Sequence, residues 1–160
     1  MRWISLLAAV LAAGVLTLAA RPDTDAPPSP DGRAVVQRVV DGDTVVLSDL
    51  GKARLIGIDT PEVHGRVECY GREASAFAAR TFAGREIRYE RGVDPTDRYG
   101  RALVYLWLQD GRFVNALLVA RGYATPLTIA PNVEHASTFV RLSREARGAQ
   151  RGLWAPGACP

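Results

Sequence analysis

Two acidic clusters and two arginines are the residues of this chain best suited to chemistry. The stretch RLIGIDTPE opens on Arg54 and closes on Asp59, Thr60, Pro61 and Glu62, with no charge between. A second cluster, DGDT, spans Asp41 to Thr44, and a second arginine, Arg101, closes DRYGR. Carboxylates at strand ends can leave a sheet and face a mouth, and calcium takes hard oxygens from carboxylates, carbonyls and water. Asp43 and Asp59 can supply two of them if their strands are neighbours. Neither cluster has the dense Asp/Asn ladder of an EF-hand, so an ion there is expected to be held loosely and completed by water or substrate. Arginine suits a phosphodiester because its planar fork donates two parallel hydrogen bonds and keeps its charge. Glu62, two residues past Thr60 and locked by Pro61, can orient or deprotonate a water. His64 competes for that role, and His135 is a more remote candidate.

Each of these taken singly has a plainer reading. Asp-Gly is a turn signal, Asp-Thr-Pro a turn or cap, and an arginine entering a strand is usually just solvated. The sequence has no Ser-His-Asp order, no zinc-type Cys/His spacing and no phosphate-cradling glycine loop.

The elements that must position these residues read mainly as strands. AVVQRVV leads through Asp41-Gly42 into TVVLS, and Asp49-Leu50-Gly51 turns into KARLIGI, giving a three-stranded meander. Polar residues fill a loop to Tyr70. Ala74, Phe77, Ala78, Thr81 and Phe82 then recur at helical spacing before Gly84. REIRYERG alternates as a half-buried strand, DPTDRYGR reads as a loop, and ALVYLWL as a buried strand closed by Asp110-Gly111. VNALLVARG is a short helix, and a last helix is expected from about Glu134 to Arg147, with Phe139, Val140 and Ser143 on one side. Three strands, a helix, two strands and two helices predict an α+β, mainly β chain: a five-stranded OB-fold Greek-key barrel with packed helices. A generic α+β sandwich is the alternative. Strict alternation places Arg54, Ile56 and Ile58 on one face and Asp59 on the other, so bringing Arg54 to Asp59 requires a bend or bulge.

The first 20 residues, MRWISLLAAVLAAGVLTLAA, read as an export signal, or as an N-terminal anchor through residues 3–20. Residues 21–32, rich in Pro and Asp, read as a flexible linker, and 33–160 as one domain. Net charge is +3, carried almost wholly by arginine, with Lys52 the single lysine. That balance permits a polyanionic partner without demanding one. Behind an export signal, Cys69 and Cys159 read as a disulfide tying the C-terminal tail to the loop after Glu62; two unrelated thiols are the alternative.

Together, VVDGDTVVL, RLIGIDTPE, YGREA and DRYGRALVYL, in this order and spacing, resemble the thermonuclease (staphylococcal nuclease-like) family over about Ala34 to Trp154. The resemblance implies an OB-fold barrel with three helices that hydrolyses DNA and RNA with calcium, leaving 3′-phosphate ends. It assigns Asp43, Asp59 and the Thr60 carbonyl to calcium, and Asp41 to a place just outside those ligands. Glu62 becomes the general base, Arg54 and Arg101 the phosphate-binding arginines, and Tyr99 with Arg98 the substrate-binding pair. The Cys69 and Cys159 placement resembles exported relatives. The chain departs from the family in a shorter loop between Glu62 and Tyr70. It also lacks the pocket tyrosines, Thr128 and Ala130 falling near their places. The expectation is an exported, secreted or periplasmic, monomeric nuclease acting on DNA and RNA, touching a membrane only if the N-terminal segment is retained. The rival is a catalytically silent OB module that binds single-stranded nucleic acid or a protein.

Overall fold

The computed structural model describes residues 31–159. The export-signal reading of residues 1–20 and most of the linker lie outside the described residues. Five strands close a barrel: β1 (Gly32–Val39), β2 (Thr44–Leu47), β3 (Gly51–Leu55), β5 (Glu86–Thr96) and β6 (Ala102–Leu108). Around the barrel the order is β1-β2-β3-β6-β5, with β1 closing on β5. All neighbours are antiparallel except β3 and β6, which run parallel. This is the five-stranded OB topology expected from the sequence, with three helices: α1 (Gly71–Phe82), α2 (Val114–Ala120) and α3 (Ala136–Gly148). The first strand starts at Gly32, and the Asp31 carboxylate already accepts the Arg91 amide.

Period-2 alternation fills the barrel: Ala34 and Val36, Val45 and Leu47, Ala53 and Leu55, Ile87, Val104 and Leu106 are all buried. One β6 face points into this interior, while Tyr105 and Trp107 on the other are covered by Phe113 and His135, which pack in turn on the α3 residue Phe139. That double burial is why ALVYLWL reads as a continuous apolar run rather than alternating. His135 therefore belongs to an aromatic cluster, its ring 4.6 Å from that of Tyr105.

Four local readings are corrected. KARLIGI is not one strand: β3 stops at Leu55, and Ile58–Asp59 form a separate short strand, β4, paired with β7 (Thr125–Pro126). β5 continues through Asp94-Pro95-Thr96 where a loop was expected. Its register slips there, so Pro95 sits where the ladder is already broken. α3 begins at Ala136, two residues after Glu134. Its buried side carries Phe139, Ser143 and Ala146, and Val140 is exposed. A 3₁₀ turn at Gly152–Trp154 is the last helical element, with the Arg147 guanidinium 4.2 Å above the Trp154 ring. Beyond it Cys159 is disulfide-bonded to Cys69, Cα to Cα 5.7 Å, which anchors the tail to the loop entering α1.

Candidate active site

The break after Leu55 creates the site. Gly57 takes φ +79°, a conformation that side chains resist, and a Cβ there would lie 2.4 Å from the Phe139 ring. The buried Asn115 of α2 holds the break from beneath: its Nδ2 donates to the Ile56 carbonyl (2.9 Å) and its Oδ1 accepts from the Leu106 amide (3.1 Å). Ile56 N–H donates to the Val104 carbonyl and Leu127 N–H to the Gly57 carbonyl, bonds that tie the turn to β6 and to the residue after β7. The chain then reverses its facing, and Asp59 comes round to Arg54.

Arg54 forms a fork. Its Nη1 donates to Asp43 Oδ1, and its Nη2 donates to Asp59 Oδ1 (2.7 Å) and the Ile58 carbonyl (3.3 Å). The bend that alternation required is thus present, and the two clusters meet at one guanidinium. Asp43 is buried, and its other oxygen accepts the Thr60 amide at 2.8 Å. Its carboxyl is pushed up to about 6, chiefly by burial, with Asp41 and Asp59 adding to the rise and Arg54 and the Thr60 amide opposing it. Asp41 stands at the preceding turn, its Oδ1 accepting the Asp43 amide.

These donors suit a hard cation. Two carboxylates converge on one point, and a third carboxylate beside them is close enough to raise the Asp43 carboxyl. That excess of oxygen charge is what a divalent ion neutralises. Among the described residues no three Asp, Glu, His or Cys side chains form a complete cage. An ion here would take the remaining oxygens from backbone and water.

Glu62 lies on the loop that follows. Its Oε1 accepts the His64 and Val63 amides (2.8 and 2.9 Å), leaving Oε2 without a protein partner among the described residues. The His64 amide bond, then that of Val63, outweigh desolvation and hold the carboxyl below its ordinary value, with smaller help from Arg54. The Glu62 backbone is pinned by Glu68, which the sequence reading missed: Glu62 N–H donates to the Glu68 carboxylate and Glu68 N–H to the Glu62 carbonyl. His64 turns away, its Nε2 lying 3.0 Å from the Val40 carbonyl.

Arg101 approaches from the β5–β6 hairpin. Its Nε donates to Asp97 Oδ2 (2.6 Å), and Asp97 Oδ1 accepts the Tyr99 and Arg101 amides. Burial disfavours an ionised Asp97, but these bonds together keep its carboxyl below the usual range. Asp97 is the second residue missed, although an aspartate four before an arginine across a Tyr-Gly turn was visible. Arg98 donates to the Tyr99 hydroxyl (2.6 Å), and the Arg98 and Arg101 guanidinium groups lie 4.8 and 5.5 Å from the Tyr99 ring.

Arg54, Arg98, Tyr99 and Arg101 line one cavity of about 520 Å³, and Leu127, Ile129 and Ala130 supply an aliphatic wall to it. That volume is in the range of small-ligand sites. The wall is aliphatic where Thr128 and Ala130 were expected to leave a gap in aromatic lining. The buried Asn132 ties this wall to β5, exchanging hydrogen bonds of 3.0 Å with the Asp94 amide and carbonyl.

Comparison with known proteins adds to this geometry. The family described as staphylococcal nuclease homologue matches residues 52–156. A thermonuclease of Staphylococcus intermedius is 36% identical over 126 residues, covering 75% of this chain and 74% of that protein. A thermonuclease of Staphylococcus hyicus is 35% identical over 125 residues, covering 74% and 73%. The endonuclease YhcR of Bacillus subtilis (strain 168) is 34% identical over 146 residues, which cover 81% of this chain but 12% of that much longer protein.

Proposed function

The chain belongs to the staphylococcal nuclease family and is a nuclease, a hydrolase of phosphodiester bonds; from that premise we propose that it is a calcium-dependent endonuclease. It cuts DNA and RNA with little sequence preference and leaves 3′-phosphate ends. The observation that carries this reading is the Arg54 fork between Asp43 and Asp59, with Arg54 lining the same cavity as Arg101.

Asp43, Asp59 and the Thr60 carbonyl would hold the calcium, with Asp41 just outside. Bound there, the ion would offset charge on a phosphate oxygen. The rest is done by the chain's own groups. Arg54 and Arg101 bind the non-bridging oxygens and stabilise the extra negative charge that builds as water adds to phosphorus. Glu62 Oε2 takes the proton of the attacking water. Its low-lying carboxyl keeps it ionised, and thus able to accept, across the neutral range. The phosphorus bond to the 5′ oxygen breaks, that oxygen acquires a proton, and phosphate stays on the 3′ side. Tyr99 and Arg98 position the adjoining nucleotide in the cavity. The Cys69–Cys159 disulfide supports export to an oxidising compartment, with residues 1–20 as the signal or anchor and the domain acting as a monomer.

Digestion of DNA and RNA with calcium and with chelator tests the reading, followed by analysis of product ends. Cutting that needs calcium and yields 3′-phosphates is expected. Equal cutting in chelator, or 5′-phosphate products, would overturn it.

A further inference from the structure

The YGREA motif has no part in the chemistry above, yet it lines a second concavity. This groove, of about 330 Å³, is formed by Tyr70, Arg72, Glu73, Ala76, Arg80 and Tyr123. Its floor is aromatic. Tyr70 stacks on Tyr123 with ring centroids 5.6 Å apart, and Tyr123 stacks in turn on Phe77 at 4.3 Å. Tyr70 ends the stack, and among the described residues no second ring covers it.

Arg72, Ala76 and Arg80 recur every four residues and so form one stripe of α1. The two arginines are about 12 Å apart along the helix, with the small Ala76 leaving a gap between them. Both are exposed, and among the described residues neither has a carboxylate within salt-bridge distance. Glu73 sets one carboxylate against these two guanidinium groups.

The groove adjoins the reactive loop at two points. Gly71 packs on the Glu62 carbonyl so closely that a Cβ would come within 2.5 Å of that oxygen. Tyr123 lies two residues before Thr125, which pairs with Asp59. Tyr70 itself is held at φ 69°, a conformation that bulky residues rarely adopt. Such strain survives only where the surroundings fix it, and it concentrates at binding sites. Here the disulfide at Cys69 and the packing of Gly71 fix it from both sides, and the result is a tyrosine ring laid along the groove floor.

Resting on the nuclease reading, we propose that this groove is a second contact for single-stranded DNA or RNA, beyond the phosphate that is cut. A base lies on the open face of Tyr70, and the strand's phosphates meet Arg72 and Arg80. The strand then runs from the first cavity, past Arg54 and Glu62, into the second. Only an unpaired strand can offer a base face to the ring, so the groove favours single strands over duplex.

The test uses the full-length chain carrying Glu62→Gln, which keeps the strand intact, and fluorescence anisotropy with labelled oligonucleotides lengthened from a dinucleotide. Affinity is expected to rise with length. Adding Arg72→Ala and Arg80→Ala cuts the advantage of long over short strands about tenfold and lowers the magnitude of the slope of log K against log salt by about 1.4. Tyr70→Leu cuts the same advantage by a similar factor without changing the slope. If the two arginine substitutions leave both the length advantage and the salt slope as in the parent, the groove does not touch the strand. Failure of the unsubstituted chain to cut in calcium would instead sink the nuclease reading, while the anisotropy series still decides on the groove.

Discussion

Arg54 and Arg101 both lead into apolar strand sequence, and the molecule holds them by opposite means. Arg54 is gripped over long range: Asp43 comes from the β1–β2 turn, Asp59 from beyond a broken strand, and Asn115 on α2 secures the break. Arg101 is held locally, by an aspartate four residues earlier in its own hairpin, and only its Nε is engaged among the described residues. The first arginine therefore shares its charge with the carboxylates that would hold a cation. The second keeps its two Nη groups uncommitted on the cavity wall. One seat is part of the core and the other is part of a turn, so damage to the two should show up in different measurements.

Arg54→Ala is the largest expected break. It leaves the buried Asp43 without its counter-charge, and thermal unfolding should report a loss of about 3 kcal/mol. Turnover should fall on the order of 10²-fold to 10³-fold as well. A stability loss below about 1 kcal/mol would erase the distinction between the seats. Gly57→Ala comes next. A side chain at positive φ, pressed on Phe139, should cost about 3 kcal/mol in denaturant unfolding and lower turnover with it, because Asp59 can no longer be presented to Arg54. Full activity in a stably folded Gly57→Ala protein would show that the bend does not set the site.

Asp97→Asn probes the other seat. It keeps the turn's amide acceptor but removes the charge beside Arg101, and kcat should drop about tenfold while the unfolding midpoint barely moves. A drop as large as that of Arg54→Ala would mean that Arg101, too, depends on a rigid seat. Tyr99→Leu is the smallest change. Tyr99 is 68% exposed and offers the two arginines a cation–π face and Arg98 one hydroxyl acceptor, so KM should rise about threefold with kcat intact.

The same contrast explains what the sequence could reveal. The Arg101 seat is local: strand, turn residues and arginine stand in one short stretch, and Asp97 could have been found there from its spacing. The barrel strands were legible because one face of each is buried, which leaves an alternating pattern. The Arg54 seat was legible in its residues but not in its geometry. Nothing in LIGI marks a break, since Leu55, Ile56 and Ile58 are all buried and only Gly57 interrupts them. The two-residue strand at Thr125–Pro126 is too short for any period, and Asn115 acts across 59 positions. Val140 was misplaced because α3 packs on α2 and β7 with Phe139, Ser143 and Ala146 as its buried stripe, which the helix period alone does not orient. Arg98, Tyr99 and Arg101 line one cavity because a hairpin carries its own geometry.

The decisive measurement is the rate of DNA cleavage by the full-length chain and its Arg101→Ala variant, each at saturating calcium and again with chelator. Rapid calcium-dependent cutting is predicted for the parent. A kcat lower by on the order of 10²-fold to 10³-fold is predicted for the variant, at nearly unchanged thermal stability. Equal cutting by both proteins, with or without calcium, would contradict a site in which Arg101 meets the phosphate.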